Sequence, residues 1–202
     1  MNTETPFAAV LDFWLGGHPL SDAAMQAVQS QWFRKDEAFD AELRRRFGAT
    51  ITDARAGRLG EWAATPEGRL ALLIVLDQFT RNAYRGQPES FAGDAQALAL
   101  ALEGVARGHD QAVPPMARIF CYLPLEHAED AQCQARSVAL FQALRDAPQA
   151  EPKAFFDGTL DYARKHQDVI ARFGRFPHRN AVLGRASTAD EQAYLAQPGA
   201  GF

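Results

Sequence analysis

TPEGRLALLIVLDQFTRNAYRG, residues 65–86, is the stretch whose reading decides the fold. Thr65 can cap a helix and Pro66 suits its first position, where a missing N–H costs nothing. From Leu70 to Leu76 every residue is apolar, so the helix predicted over about 66–84 is buried on all sides and central to its neighbours. Asp77 and Arg81 follow one turn apart in line with Leu73, spaced to form an ion pair along one face. Arg81-Asn82 then closes the helix. Polar groups at the end of so apolar a helix must pair with each other or hold a ligand, because burial without a partner is costly.

Outward from this segment the spacing stays helical. Phe7, Val10, Leu11 and Trp14 make a first helix stopped by Gly16-Gly17, and Ser21 caps a second that runs to Trp32 and Phe33. A charged third helix, from about Asp36 to Ala56, has Phe39, Leu43, Phe47 and Ile51 as its inner stripe. Helices follow at about 89–107 and around Ile119–Tyr122, then from Pro124 to Arg145 and from 153 to 173, where Gly174 closes the chain turn. Thr188 and Glu191 form a capping box for a last helix. No stretch alternates like a strand between hairpin turns. The fold class is all-α, built of antiparallel helix pairs, with no 34-residue consensus repeat legible.

At 202 residues the chain fits one domain. It is 47% hydrophobic and 23% charged with net charge −4, a balance that argues against nucleic-acid or anionic-membrane binding. Arginine outnumbers lysine 18 to 3; a GC-rich genome accounts for that as readily as anion binding does. Cys121 and Cys133 lack metal or disulfide spacing, so reduced thiols and a cytoplasmic setting are expected. MNTETPFAAVLDFWLGG has no basic residue ahead of its apolar part and does not read as a signal peptide. The apolar run at 70–76 is too short to span a bilayer. Trp14, Trp32, Phe33 and Trp62 are expected in the core.

A second Arg-Asn pair, Arg179-Asn180, lies in HQDVIARFGRFPHRNAVLGR at 166–185. On the helix before it the inner stripe reads Phe155, Thr159, Tyr162, His166, Val169 or Ile170, and Phe173. Counting back from Phe141 along the previous helix brings His127 to its apolar side, with Asp130 one turn on. His127, His166 and His178 could therefore converge, either as satisfied core groups or as catalytic bases. With Asp130 the three histidines could bind a divalent metal, but HAED and HQD are not metal motifs, satisfied core histidines are the commoner outcome, and no metal or cofactor is expected. Arg81, Asn82, Arg85, Arg175, Arg179 and Asn180 admit two readings. They lock helix ends together through carboxylates, or they grip a phosphate or carboxylate, to which the guanidinium fork is suited.

Four stretches together resemble the DUF924 family of bacterial proteins. They are VLDFWLG at 10–16 with WF at 32–33, LDQFTRNAYRG at 76–86, YLPLEHAED at 122–130, and HQDVIARFGRFPHRNAVLGRASTADE at 166–191. The match runs from about residue 7 to 195. It implies a tetratricopeptide-like right-handed helical array, and with that a groove for a peptide or protein partner. It also implies that Asp77, Gln78, Arg81, Asn82 and Arg85 belong to one polar set with His127, Glu129 and His166. Arg175, His178, Arg179 and Asn180 complete that set. Two departures are visible: Thr80 stands where the family tends to have proline, and Ala128 where it tends to have serine. The leading expectation is a binding domain for a small anionic ligand or a peptide. The alternative is a hydrolase-type enzyme, with His127, His166 or His178 as general base and Arg81 and Arg179 stabilising negative charge, with or without a metal. Oligomeric state is not legible.

Overall fold

A computed structural model describes residues 6–201, and all regular structure among them is helical. Residues 1–5, the start of the N-terminal stretch read above, lie outside them. Local capping sets most helix starts. α1 (Ala8–Leu15) ends at Gly16, whose φ of 80° is left-handed, and the Ser21 hydroxyl opens α2 (Asp22–Val28) by accepting from the Ala24 amide. The Asp36 carboxylate accepts from the Ala38 and Phe39 amides to open α3 (Glu37–Arg55). Thr65 accepts from the Gly68 amide and Pro66 begins α4 (Pro66–Leu73).

The central helix is not continuous. Ile74–Phe79 is π-helical and is followed by α5 (Thr80–Ala83). A π turn holds an extra residue and releases carbonyls from the α ladder. Here the Thr80 hydroxyl donates to the Leu76 carbonyl at 2.7 Å, and Arg81 Nη1 donates to the Asp77 carbonyl at 2.8 Å. Both bonds reach only four residues back along the chain, but helical periodicity does not reveal them.

The remainder comprises α6 (Asp94–Ala106), α7 (Pro115–Glu126), α8 (Ala131–Asp146), α9 (Lys153–Phe173) and α10 (Ala189–Leu195). The helix expected from Pro124 to Arg145 is two helices. Pro124 lies in the last turn of α7, where its missing N–H weakens the ladder. The chain leaves the helix at His127 and restarts where the Asp130 side chain accepts from the Cys133 amide at 2.8 Å. Asp130 is therefore a cap rather than a companion of His127.

α4 packs on α1, α6 and α7; the π segment and α5 pack on α3; and α7, α8 and α9 pack in succession. Among the described residues the labelled helices run from four to 21 residues in length. Trp14, Trp32 and Trp62 are buried, as expected, with Trp14 edge-on to Phe79 and Phe120. Phe33 is not in the core; it is 63% exposed. On α9 the core face is Phe156, Leu160, Ala163 and His166. The predicted stripe Phe155, Thr159 and Tyr162 lies about one position away and faces a cavity, leaving Tyr162 53% exposed. Both faces of this stretch carry apolar residues, so periodicity could not separate core from cavity wall. Cys121 and Cys133 form no disulfide. No helix among the described residues is long and apolar enough to cross a membrane.

Candidate functional site

The extended side chains of the central helix end and of the turn after α9 converge on one acidic residue at the start of α6. Arg81 reaches the two oxygens of Asp94 through Nη1 and Nη2 at 2.8 and 3.0 Å. Arg179, carried by the 3-10 turn Pro177–Arg179, donates Nη1 to the same carboxylate at 3.3 Å. The Arg179 guanidinium lies between the rings of Phe91 and Phe176, 4.8 and 4.4 Å from their centroids. That packing suits a planar delocalised cation. Its Nε is buried with no hydrogen-bond partner. Burial and the nearby Arg81 lower its pKa to about 10, which still leaves it charged at neutral pH.

Asp77 is 1% exposed and holds three groups. Its Oδ1 lies 2.8 Å from Arg81 Nη1 and 2.7 Å from His127 Nδ1, and Gln78 Nε2 donates to Oδ2 at 2.6 Å. Burial alone would raise the Asp77 carboxyl, but Arg81 and His127 together hold it well below its ordinary value. His127 is itself shifted down, first by burial and then by Arg81, against the pull of Asp77. A neutral imidazole whose Nδ1–H points at Asp77 presents the lone pair of Nε2.

Beside it, His166 Nδ1 lies 2.9 Å from the Tyr162 carbonyl and 3.1 Å from Glu126 Oε1. Burial, with His127 next in effect, pushes its pKa down to about 3. The His127 and His166 rings are 6.0 Å apart. His178 is pushed down to about 4 by burial and by Arg179. Glu126 moves the other way, up to about 8, because it is buried and faces the charge of Asp77. At neutral pH the three imidazoles are thus uncharged bases, and the site's fixed cations are arginines.

Of these groups Arg81, Glu126, His127, His166, His178 and Arg179 form the polar end of a cavity of about 630 Å³, with Asp77 and Asp94 behind them. Its other wall is apolar, with Trp32, Phe33, Leu123, Phe155 and Tyr162. Gly158 lies on this wall, and a Cβ added there would meet no atom within 4 Å.

Of the residues singled out in the sequence, Arg81, Asn82, Arg85, His127, His166, His178 and Arg179 line the cavity. Asn82 and Arg85 are also tied down: Asn82 Nδ2 donates to Asp40 at 2.8 Å, and Arg85 binds both oxygens of that carboxylate at 2.9 and 3.2 Å. Arg175 and Asn180 do not join the cavity. Arg175 makes a bidentate pair with Glu191 at 2.7 and 2.8 Å, and Asn180 donates to Glu191 and Ser187. They anchor the capping box of α10 rather than the polar floor. Glu129 supports the site from behind, accepting from the Phe176 amide at 2.8 Å and from both Arg185 nitrogens at 2.7 and 2.9 Å.

Sequence reading missed Asp94, Asp40 and Glu126. Asp94 and Asp40 look like ordinary charged positions on helix surfaces, and only the fold shows what meets them. Glu126 adjoins His127, and on a continuous helix consecutive residues point about 100° apart. Both nevertheless line the cavity.

Residues 10–199 match the family model described as a bacterial protein of unknown function, DUF924. A solved structure of a protein of unknown function from Agrobacterium tumefaciens is similar with a TM-score of 0.80. It is 39% identical, and the likeness covers 94% of this chain and 96% of that one. No curated protein gives a significant match. The chain belongs to the DUF924 family.

Proposed function

For this member of the DUF924 family, we propose a role as a binding protein for a small ligand with an anionic head and an apolar body, such as a carboxylate or phosphate ester bearing an acyl or aryl group. The observation that carries this reading is the division of the cavity. Arg179, stacked between two rings with a buried Nε that lacks an acceptor, stands at one end, and aromatic and aliphatic side chains form the other. The volume of about 630 Å³ is that of a small-molecule pocket, which favours such a ligand over a protein partner. Two unpaired cysteines support a reducing, cytoplasmic setting.

The test is thermal unfolding and calorimetric titration against a series of carboxylates and phosphate monoesters of increasing apolar length. Affinity should rise with length until the cavity is full, then fall. Gly158→Trp should fill the apolar wall without disturbing the core, and it should abolish binding. Arg179→Ala should remove the preference for an anionic head. A wild-type protein whose unfolding temperature ignores the whole series, at concentrations where linkage would register binding, sinks the reading.

Hydrolytic chemistry in the same cavity is the second reading, favoured by the 2.7 Å contact between Asp77 and His127. A carboxylate that orients a neutral histidine is the arrangement a general base needs. Turnover of ester substrates that is lost in His127→Gln would favour it over binding alone.

A further inference from the structure

We propose that Glu126, His127 and His166 form a binding site for one divalent first-row transition metal ion at the polar end of the cavity. Each offers a ligand atom, and the three atoms lie within 4.8 Å of one another. With metal–ligand bonds of about 2.0–2.2 Å, the donors of a tetrahedral site stand roughly 3.4 Å apart. Small side-chain rotations therefore close the set. The sequence reading set a metal aside after weighing His127, His166 and His178 with Asp130; Glu126 was not among its candidates.

Two further observations point to a cation. Metal-bound histidines characteristically donate their other ring N–H to a carboxylate or a backbone carbonyl, which fixes the tautomer and strengthens the ligand. His127 has the first arrangement, with Nδ1 at 2.7 Å from Asp77, and His166 the second, with Nδ1 at 2.9 Å from the Tyr162 carbonyl. His127 thereby keeps its lone pair on Nε2, while His166 Nδ1 also lies 3.1 Å from Glu126 Oε1, so these two proposed ligands already touch. Glu126, meanwhile, is 3% exposed and lines the cavity, yet its Oε2 has no hydrogen-bond partner. A buried carboxylate oxygen without a donor is costly, and a coordinated cation supplies what it lacks.

Two imidazoles and one carboxylate suit zinc, iron(II), cobalt(II), nickel(II) or manganese(II) better than calcium or magnesium, which favour all-oxygen cages. Three protein ligands leave a position open to the cavity, the pattern of reactive rather than structural centres. The ion deepens the binding reading above, since the open position would receive the ligand's anionic head. It rests on that reading for this step alone.

The experiment uses the full chain without a histidine tag, stripped with chelator and titrated with cobalt(II) alone. Visible d–d absorption should saturate at about one equivalent and disappear on adding zinc. Glu126→Gln and His166→Gln should weaken binding by more than the roughly 10–100-fold that loss of an outer-shell partner costs. In case either variant fails to fold, nitrogen-15 NMR of the wild-type histidines gives a separate measure: zinc should shift His127 and His166 while His18 and His109 stay put. Absence of a saturable spectrum, folded variants that bind like wild type, or unshifted His127 and His166 signals overturns the proposal. Gly158→Trp separates the two ideas, because it should block the organic ligand and leave the cobalt spectrum unchanged.

Discussion

Arg81 and Arg179 meet on a single carboxylate, that of Asp94, which lies 13 residues from the first and 85 from the second. Side chains from the middle and the tail of the chain are thereby held in one cluster. Burial and then Arg81 depress the pKa of Arg179, and Asp94, the anion between the two cations, partly restores it. Asp94 is therefore the joint of the site, although its position at the start of α6 suggests no more than a favourable charge at a helix N-terminus.

Asp94→Asn should consequently do more than remove a first-turn charge. It leaves two guanidiniums close together without their shared anion. The loss should be about 1.5–3 kcal/mol, the range for hydrogen bonds to charged groups. It should fall below that of a sealed pair because the Asp94 side chain is 23% exposed. Phosphate should restore more stability to this variant than to wild type by occupying the vacated position. Urea unfolding with and without phosphate measures both effects, and a change within about 0.5 kcal/mol, ordinary for a surface position, would contradict the assignment.

Asp77→Asn tests the layer beneath. Asp77 is fully enclosed and is the common partner of Arg81, His127 and Gln78. An amide keeps the size but removes the charge, and with its oxygen kept toward Arg81 and His127 its NH2 replaces the acceptor that meets the Gln78 amide nitrogen. Breaking a buried pair in this way costs about 3–5 kcal/mol, which equilibrium denaturation would register as a large fall in midpoint. A near-neutral result would mean that the Arg81 contact contributes little and that Asp94 carries the guanidinium alone.

How much of this was legible beforehand depended on how local the cause was. Ser21, Thr65 and Thr188 announce helix starts because a cap acts within three residues of itself, and Gly16 and Gly174 announce ends for the same reason. The π segment, the break at His127 and the shift of Phe155 and Tyr162 from core to cavity wall were not legible. The last depends on which distant surface packs against α9, whereas the break at His127 has local causes, Pro124 and the Asp130 cap, that a helix begun at Pro124 hid. The polar candidates divide along the same line. Arg81 and Arg179 reveal themselves by sitting at apolar helix ends, but only the fold distinguishes them from Arg175, whose partner Glu191 belongs to a capping box.

That capping box gives a pH prediction. Glu191 is held down to about 2, against an ordinary value of 4.5, by Arg175 and the Thr188 amide. A carboxyl with a depressed native pKa contributes stability that is fully present above its unfolded value and is lost as pH falls through the native one. The stability difference between wild type and Glu191→Gln should thus be greatest above about pH 5 and should shrink steadily toward pH 2. Unfolding free energies across that window, at fixed ionic strength, decide it; a difference independent of pH would show that Arg175 binds the amide as well as the acid.

The last prediction concerns the backbone that sets the joint in place. Gly93 immediately precedes Asp94 and has an ordinary negative φ of −92°, so nothing about its own conformation demands glycine. Its neighbour does. A Cβ built there would collide with the Leu76 carbonyl oxygen and lie 2.9 Å from its carbon, both backbone atoms of the π segment. Neither can step aside as a flexible side chain would, so Gly93→Ala must push the start of α6 away from the central helix. The cost should be at least the roughly 1–3 kcal/mol of an overpacked core. The displacement should also loosen Asp94 from Arg81 and Arg179. In a double-mutant cycle, Gly93→Ala and Asp94→Asn should then be strongly non-additive, because the first change already forfeits part of what the second removes. Additive costs would mean that the carboxylate keeps both guanidiniums while the helix start moves, and that the close approach of the two backbones does not set its position.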